Sequence, residues 1–182
     1  MSLYYIAIIL PEPLQTEITA FKNDLHQRFG AKSALKSPAH ITLFPPFSWS
    51  NEEENVLKTT LDGFVLQTLP TKRPLSINLK NFGFFRKSTI FVQPEANENL
   101  PILRNALLNY LSTHIDLCDD KDAERPFHPH VTIVNRDISE SDFEMIWAEY
   151  SSKIFEKTFI ATAISLLWHN GGRWEVVHEA VF

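Results

Sequence analysis

His40-Ile41-Thr42-Leu43 and His130-Val131-Thr132-Ile133 are two copies of one pattern, set about half a chain apart. Each has a histidine, an apolar residue, a threonine and a second apolar residue. Side chains alternate along a strand, so residues i and i+2 share a face. Each copy therefore presents an imidazole beside a hydroxyl on one face and sends two apolar side chains into a core. A single copy reads equally well as an ordinary exposed strand face. Two copies in matching contexts point to paired chemistry.

The surroundings repeat as well. Strand patterning covers 3–10, and helical spacing covers 15–29 through Ile18, Phe21, Leu25 and Phe29, with Gly30 as its stop. The first motif lies in a short strand, 39–44, ended by Pro45-Pro46. A helix over 51–66 follows, with Asn51 as cap and Glu52, Glu53 and Glu54 suited to the positive end of its dipole. Two strands, 75–84 and 88–93, turn at Arg86-Lys87. The second half runs helix (97–115), polar loop (116–127), motif strand (130–134) and a helix over 139–152 with Ser139 as cap and Asp142 at its third position. It closes on a hairpin, 159–168 and 174–181, across Asn170-Gly171-Gly172. This predicts an α+β fold, one domain over 1–182 in two pseudo-symmetric halves with one motif in each.

Composition bounds the setting. The chain has 182 residues, 44% of them hydrophobic, enough for a proper core. A lone Cys118 precludes an intramolecular disulfide and a zinc site built on several cysteines, and it suits a reducing compartment. The apolar run from Ile6 to Leu10 has no basic flank, is too short to span a membrane, and is closed by Pro11 and Pro13. A cytoplasmic monomer without membrane association is expected. The net charge of −5 argues against broad nonspecific nucleic-acid binding but is compatible with a small phosphate pocket. Charge is uneven: Lys32, Lys36, Lys72, Arg73, Lys80, Arg86 and Lys87 lie in the first half, whereas Asp116, Asp119, Asp120, Asp122 and Glu124 precede the second motif.

Phosphodiester cleavage needs a proton taken from the nucleophile and a proton given to the leaving oxygen. Histidine titrates near neutrality, at about 6.5, so one ring can be neutral while the other is charged. Two threonine hydroxyls can donate to the non-bridging oxygens, where charge is held through the transition state. His40, His130, Thr42 and Thr132 then suffice, with no cofactor.

These residues are where the chain resembles a known family. The two motifs, the Pro129 to Ile133 run, the N-terminal strand and the C-terminal hairpin are similar to the two-histidine phosphoesterase superfamily, in its 2′-5′ RNA ligase-like and cyclic phosphodiesterase branch. The resemblance implies a bilobal fold with an antiparallel sheet in each lobe, helices outside and the two motifs facing across a central cleft. It implies hydrolysis of 2′,3′-cyclic phosphates, or 2′-5′ joining of RNA ends, on an RNA end or a nucleotide. His40 and His130 would be the acid/base pair; we favour His130 activating water and His40 protonating the leaving oxygen, while the sequence leaves open which ring is acid and which is base. Thr42 and Thr132 would be the phosphate ligands. The family often has an arginine about where Asn135 stands, and here Arg136 is one place further on. By alternation Arg136 shares the face of His130 and Thr132, so it either reaches substrate or marks the strand end.

Other residues carry two readings. Phe44 falls on the face of His40 by alternation and is either a platform for a base or a core phenylalanine; Phe127 is similar. Lys32, Lys36, Arg86 and Lys87 either line the mouth of a phosphate site or are solvated surface. His128 and His130 form a His-x-His that, with His169, His178 or a carboxylate, could bind a metal and make a metal-dependent hydrolase. A noncatalytic nucleotide or RNA-end binder is the other alternative. His26 and His114 read as surface, and Trp168 and Trp174 as a cross-strand pair.

Overall fold

The computed structural model describes residues 1–68, 75–118 and 124–182. Lys72, Arg73, Asp119, Asp120 and Asp122 lie outside them. In chain order the elements are β1 (Ser2–Ile9), α1 (Leu14–Phe29), β2 (His40–Trp49), α2 (Glu54–Thr68), β3 (Leu75–Phe85), β4 (Thr89–Pro94), α3 (Asn99–Ile115), β5 (Val131–Asn135), α4 (Glu140–Tyr150), β6 (Glu156–Ala161), β7 (Ala163–His169) and β8 (Trp174–Val181). The α+β expectation holds. The strands form two antiparallel four-stranded sheets, ordered β2-β1-β7-β8 and β5-β4-β3-β6.

Each sheet draws strands from both halves of the chain. β1 pairs with β2 on one side and with β7 on the other. The second sheet takes β3 and β4 from the first half, with β5 and β6 from the second. The two motif strands, β2 and β5, occupy equivalent edges. Each pairs with the strand that precedes it, with a long helix between them, α1 between β1 and β2 in one sheet and α3 between β4 and β5 in the other. The helices cross over in the same way: α1 contacts β5, and α3 contacts β2.

Local chemistry explains most boundaries. α1 ends at Gly30, whose φ of 72° suits a residue without a side chain and whose N–H caps the His26 carbonyl. α4 begins with a capping box: Ser139 Oγ accepts from the Asp142 N–H, and the Asp142 carboxylate accepts from the Ser139 N–H. Arg86 and Lys87, both with positive φ, make the tight turn between β3 and β4. Asn51 does not cap α2; a short 3-10 turn, Asn51–Glu53, precedes it without a side-chain cap.

Two strand assignments are corrected. β2 continues through Pro45-Pro46 to Trp49. It is an edge strand, and the prolines fall in a register shift between the Ile6–Phe44 and Tyr4–Phe47 pairs, where no ladder donor is lost. The stretch 159–168 is two strands. β6 pairs with β3, the chain then crosses at Thr162, and β7 pairs with β1 and β8 in the other sheet.

The main core fills the space between sheets and helices. Ile41 and Leu43 of the first motif and Val131 and Ile133 of the second are buried in it, as the alternation requires. A small second cluster on the other face of β1, Tyr5 and Ala7 with Leu167, Ile9 and Trp174, backs the first motif. Trp168 packs toward the main core, so the cross-strand partner of Trp174 is His169, at a ring distance of 4.8 Å. No described helix is long and apolar enough to cross a membrane.

Candidate active site

His40, Thr42, His130 and Thr132 line one cleft of about 1020 Å³ between the sheets. The histidines are held alike. His40 Nδ1 donates to the Pro38 carbonyl at 2.7 Å, and His130 Nδ1 donates to the His128 carbonyl at 2.7 Å. In each case the acceptor is the carbonyl two residues back. That bond fixes the tautomer and leaves Nε2 with the free lone pair.

Aromatic rings on the neighbouring strands set each imidazole. Tyr5 of β1 lies 4.9 Å from His40. Phe91 of β4 lies 5.3 Å from His130, with Phe85 at 5.1 Å. The Phe91 ring can sit there because it crosses Gly83; a Cβ on Gly83 would lie 2.7 Å from it. Ser37 joins the first set, its Oγ 3.3 Å from His40 Nδ1 and hydrogen-bonded to the Tyr5 hydroxyl.

Burial makes both rings hard to charge. It pulls His40 down to about 4, helped by the positive charges of Lys22 and His130. His130 is lowered too, first by burial and then by His128. The two motif strands, β2 and β5, contact each other directly.

Both motif strands bulge at the same place. In β2, Thr42 pairs with Ala7 but Phe44 pairs with Ile6, so Leu43 is an extra residue. In β5, Thr132 pairs with Phe91 but Val134 pairs with Ile90, so Ile133 is extra. A bulge reverses which face the following residues occupy. Phe44 is therefore turned into the core, 3% exposed, and is no platform for a base. In β5, Asn135 rather than Arg136 continues the face of Thr132. Arg136 is exposed, has a φ of 61°, and still lines the cleft from beyond the strand end.

Other candidates divide. Phe127 and Arg86 line the cleft. Lys32 and Lys36 are exposed and do not, and Lys87 is engaged by Glu140 and Glu144 on α4. His178 pairs with Asp62 at 2.8 Å, and His114 stacks on Tyr110 at 3.7 Å. His128 supplies its carbonyl to His130, and among the described residues no three His, Cys, Asp or Glu side chains converge as metal ligands. Lys22 of α1, Arg104 of α3 and the exposed Arg125 also line the cleft and were not foreseen. Lys22 stands on the buried stripe of α1 with Ile18 and Leu25, and Arg104 on that of α3 with Leu100, Leu103 and Leu107. A charged residue inside an apolar helical stripe was the available signal.

A sequence model of the 2′-5′ RNA ligase superfamily matches residues 10–173. No curated protein matches. Among solved structures, E. coli LigT crystallised with 3′-AMP superposes with a TM-score of 0.67 at 20% identity, over 100% of this chain and 98% of that one. A protein of Thermus thermophilus gives 0.63 at 18% identity, over 98% of this chain and 96% of that one. A structure described as a phosphoesterase gives 0.56 at 23% identity, over 98% and 94%. These identities speak to fold. The match over residues 10–173 is a match of sequence, and by it this chain belongs to the 2′-5′ RNA ligase superfamily.

Proposed function

We propose that the chain is a metal-independent phosphoesterase acting on RNA-type phosphodiesters, opening a 2′,3′-cyclic phosphate or joining RNA ends by the reverse attack. The observation that carries this reading is the matched pair of imidazoles in one cleft, each oriented through Nδ1 by the carbonyl two residues back. Two Nε2 atoms so presented suit an in-line displacement, one removing a proton and the other supplying one. E. coli LigT has been crystallised with 3′-AMP, with NADP+ and with phosphate, which supports a nucleotide or RNA end as the occupant here. The reading is tested by hydrolysis of 2′,3′-cyclic nucleotides and of short RNAs with cyclic ends in excess EDTA. Turnover that EDTA abolishes would overturn it in favour of a metal site.

We assign His130 the base role and His40 the acid role. His40 is the ring harder to charge, so in that assignment the substrate's phosphate anion stabilises the imidazolium at His40. The reactive state has one ring neutral and one charged. Its population peaks between the two pKa values, one at about 4 and the other below the usual 6.5. The kcat/KM profile is therefore expected to be bell-shaped with its maximum on the acid side of about 6.5. Exchanging the roles of the rings leaves this shape unchanged. A profile flat between about pH 5 and 9 would end the paired mechanism.

Thr42 and Thr132 are proposed to donate to the non-bridging oxygens. Thr42→Val and Thr132→Val preserve shape and remove the donor. Hydrogen bonds to a charged group contribute about 1.5–3 kcal/mol, so each variant is expected to lose about 10- to 100-fold. The loss should fall mainly in kcat, because phosphoryl charge is redistributed in the transition state. Steady-state kinetics on a cyclic nucleotide separates kcat from KM; unchanged kinetics would remove the threonines from the mechanism.

A further inference from the structure

Lys22 is 3% exposed, yet it lines the cleft on the His40 side. Its Nζ donates to the Ser37 carbonyl at 3.0 Å, and no carboxylate among the described residues pairs with it. An ammonium has three protons to donate, and this bond takes one. A buried charge without a counter-charge is costly, and burial accordingly pulls Lys22 down to about 8. A leucine or methionine would fill the same stripe between Ile18 and Leu25 without that cost. The arginines at the mouth, Arg86, Arg125 and Arg136, are solvated and bear no comparable penalty. Ser37, whose carbonyl holds the Lys22 ammonium, also has its Oγ 3.3 Å from His40 Nδ1, so Lys22 and His40 stand on the same side of the cleft.

We propose that Lys22 is an anion ligand of the cleft, its ammonium serving as counter-charge to a phosphoryl group held beside His40 and Thr42. This deepens the phosphoesterase reading and rests on it. The two motifs supply proton transfer and neutral hydroxyl donors, but when both rings are neutral they supply no positive charge. Lys22 provides a fixed one from a neighbouring helix, desolvated and held by Ser37, where an anion meets it without first displacing a carboxylate.

The test is calorimetric titration of inorganic phosphate into wild type, Lys22→Met and Lys22→Arg, with thermal melting of each. Lys22→Met is expected to weaken phosphate binding about tenfold or more while its Tm holds or rises, because a desolvated charge has been removed. Lys22→Arg keeps the charge and is expected to bind within a few-fold of wild type; this contrast supports the assignment whatever the Tm of Lys22→Met. Equal binding by wild type and Lys22→Met overturns it and leaves Lys22 as a brace for Ser37. Equal loss in Lys22→Met and Lys22→Arg overturns it too. A wild-type protein that binds no phosphate would instead count against the phosphoesterase reading of the whole cleft.

Discussion

Alanine at His40 or at His130 is expected to lower kcat/KM for a 2′,3′-cyclic nucleotide by about 10²–10⁴-fold, the range general acid–base catalysis supplies. Both rings belong to one proton-transfer event, so the double variant should be little worse than the poorer single one. Additive losses would mean that the imidazoles act independently. Folding should survive either change, because both rings face the cleft and neither belongs to the hydrophobic core. Melting curves of both variants alongside the rates separate lost chemistry from lost structure. A folded variant with more than a tenth of wild-type activity would remove that histidine from the mechanism.

The second large effect is on stability. Phe64 of α2 is fully buried, and its ring meets Tyr110 of α3 edge-on at 5.6 Å. These two helices lie together, and α2 also packs on β7 and β8. Phe64→Ala removes this contact and leaves a cavity that rigid neighbours fill only in part. A loss of about 3–5 kcal/mol is expected, against a total of about 5–15 kcal/mol for a typical domain. For a chain of this size that lowers Tm by roughly 10 °C. Leu66, two residues on and 78% exposed, is the control. Leu66→Ala should stay within about 0.5 kcal/mol. Denaturant unfolding of both variants checks the contrast, and similar losses would mean that α2 is held by something other than its buried face.

What could be read from the sequence was local. His40 and Thr42, like His130 and Thr132, sit two apart, and strand alternation needs no knowledge of the rest of the fold. The cap at Ser139 and the stop at Gly30 are equally local signals. Phe44 and Arg136 were misplaced by the same rule because an extra residue, Leu43 or Ile133, intervenes. A bulge exists only relative to a partner strand, so no reading of one strand reveals it. The break at Thr162 was hidden for a related reason: both sides have strand chemistry, and the boundary is set by which sheet each joins. Lys22 and Arg104 stand as charges on apolar helical stripes, a local signal, but which cleft those stripes face depends on how the helices pack on the sheets.

The sharing of strands between the chain's two halves governs when the protein can form as well as what it forms. Tyr4 pairs with Trp168, so β1 must wait for β7, which lies far along the chain. At a synthesis rate of roughly 5–20 residues per second, that wait is roughly 8–30 s. During it, β1 can join β2 but presents its other edge unpaired, the kind of surface that recruits foreign strands. Trp174, which backs the cleft behind Tyr5 at 4.6 Å, emerges later still. A ribosome-bound chain thus carries both histidines, and the Tyr5, Phe85 and Phe91 rings that set them, before β7 and β8 complete the sheet beside the first motif, and pairings so distant in sequence favour slow folding.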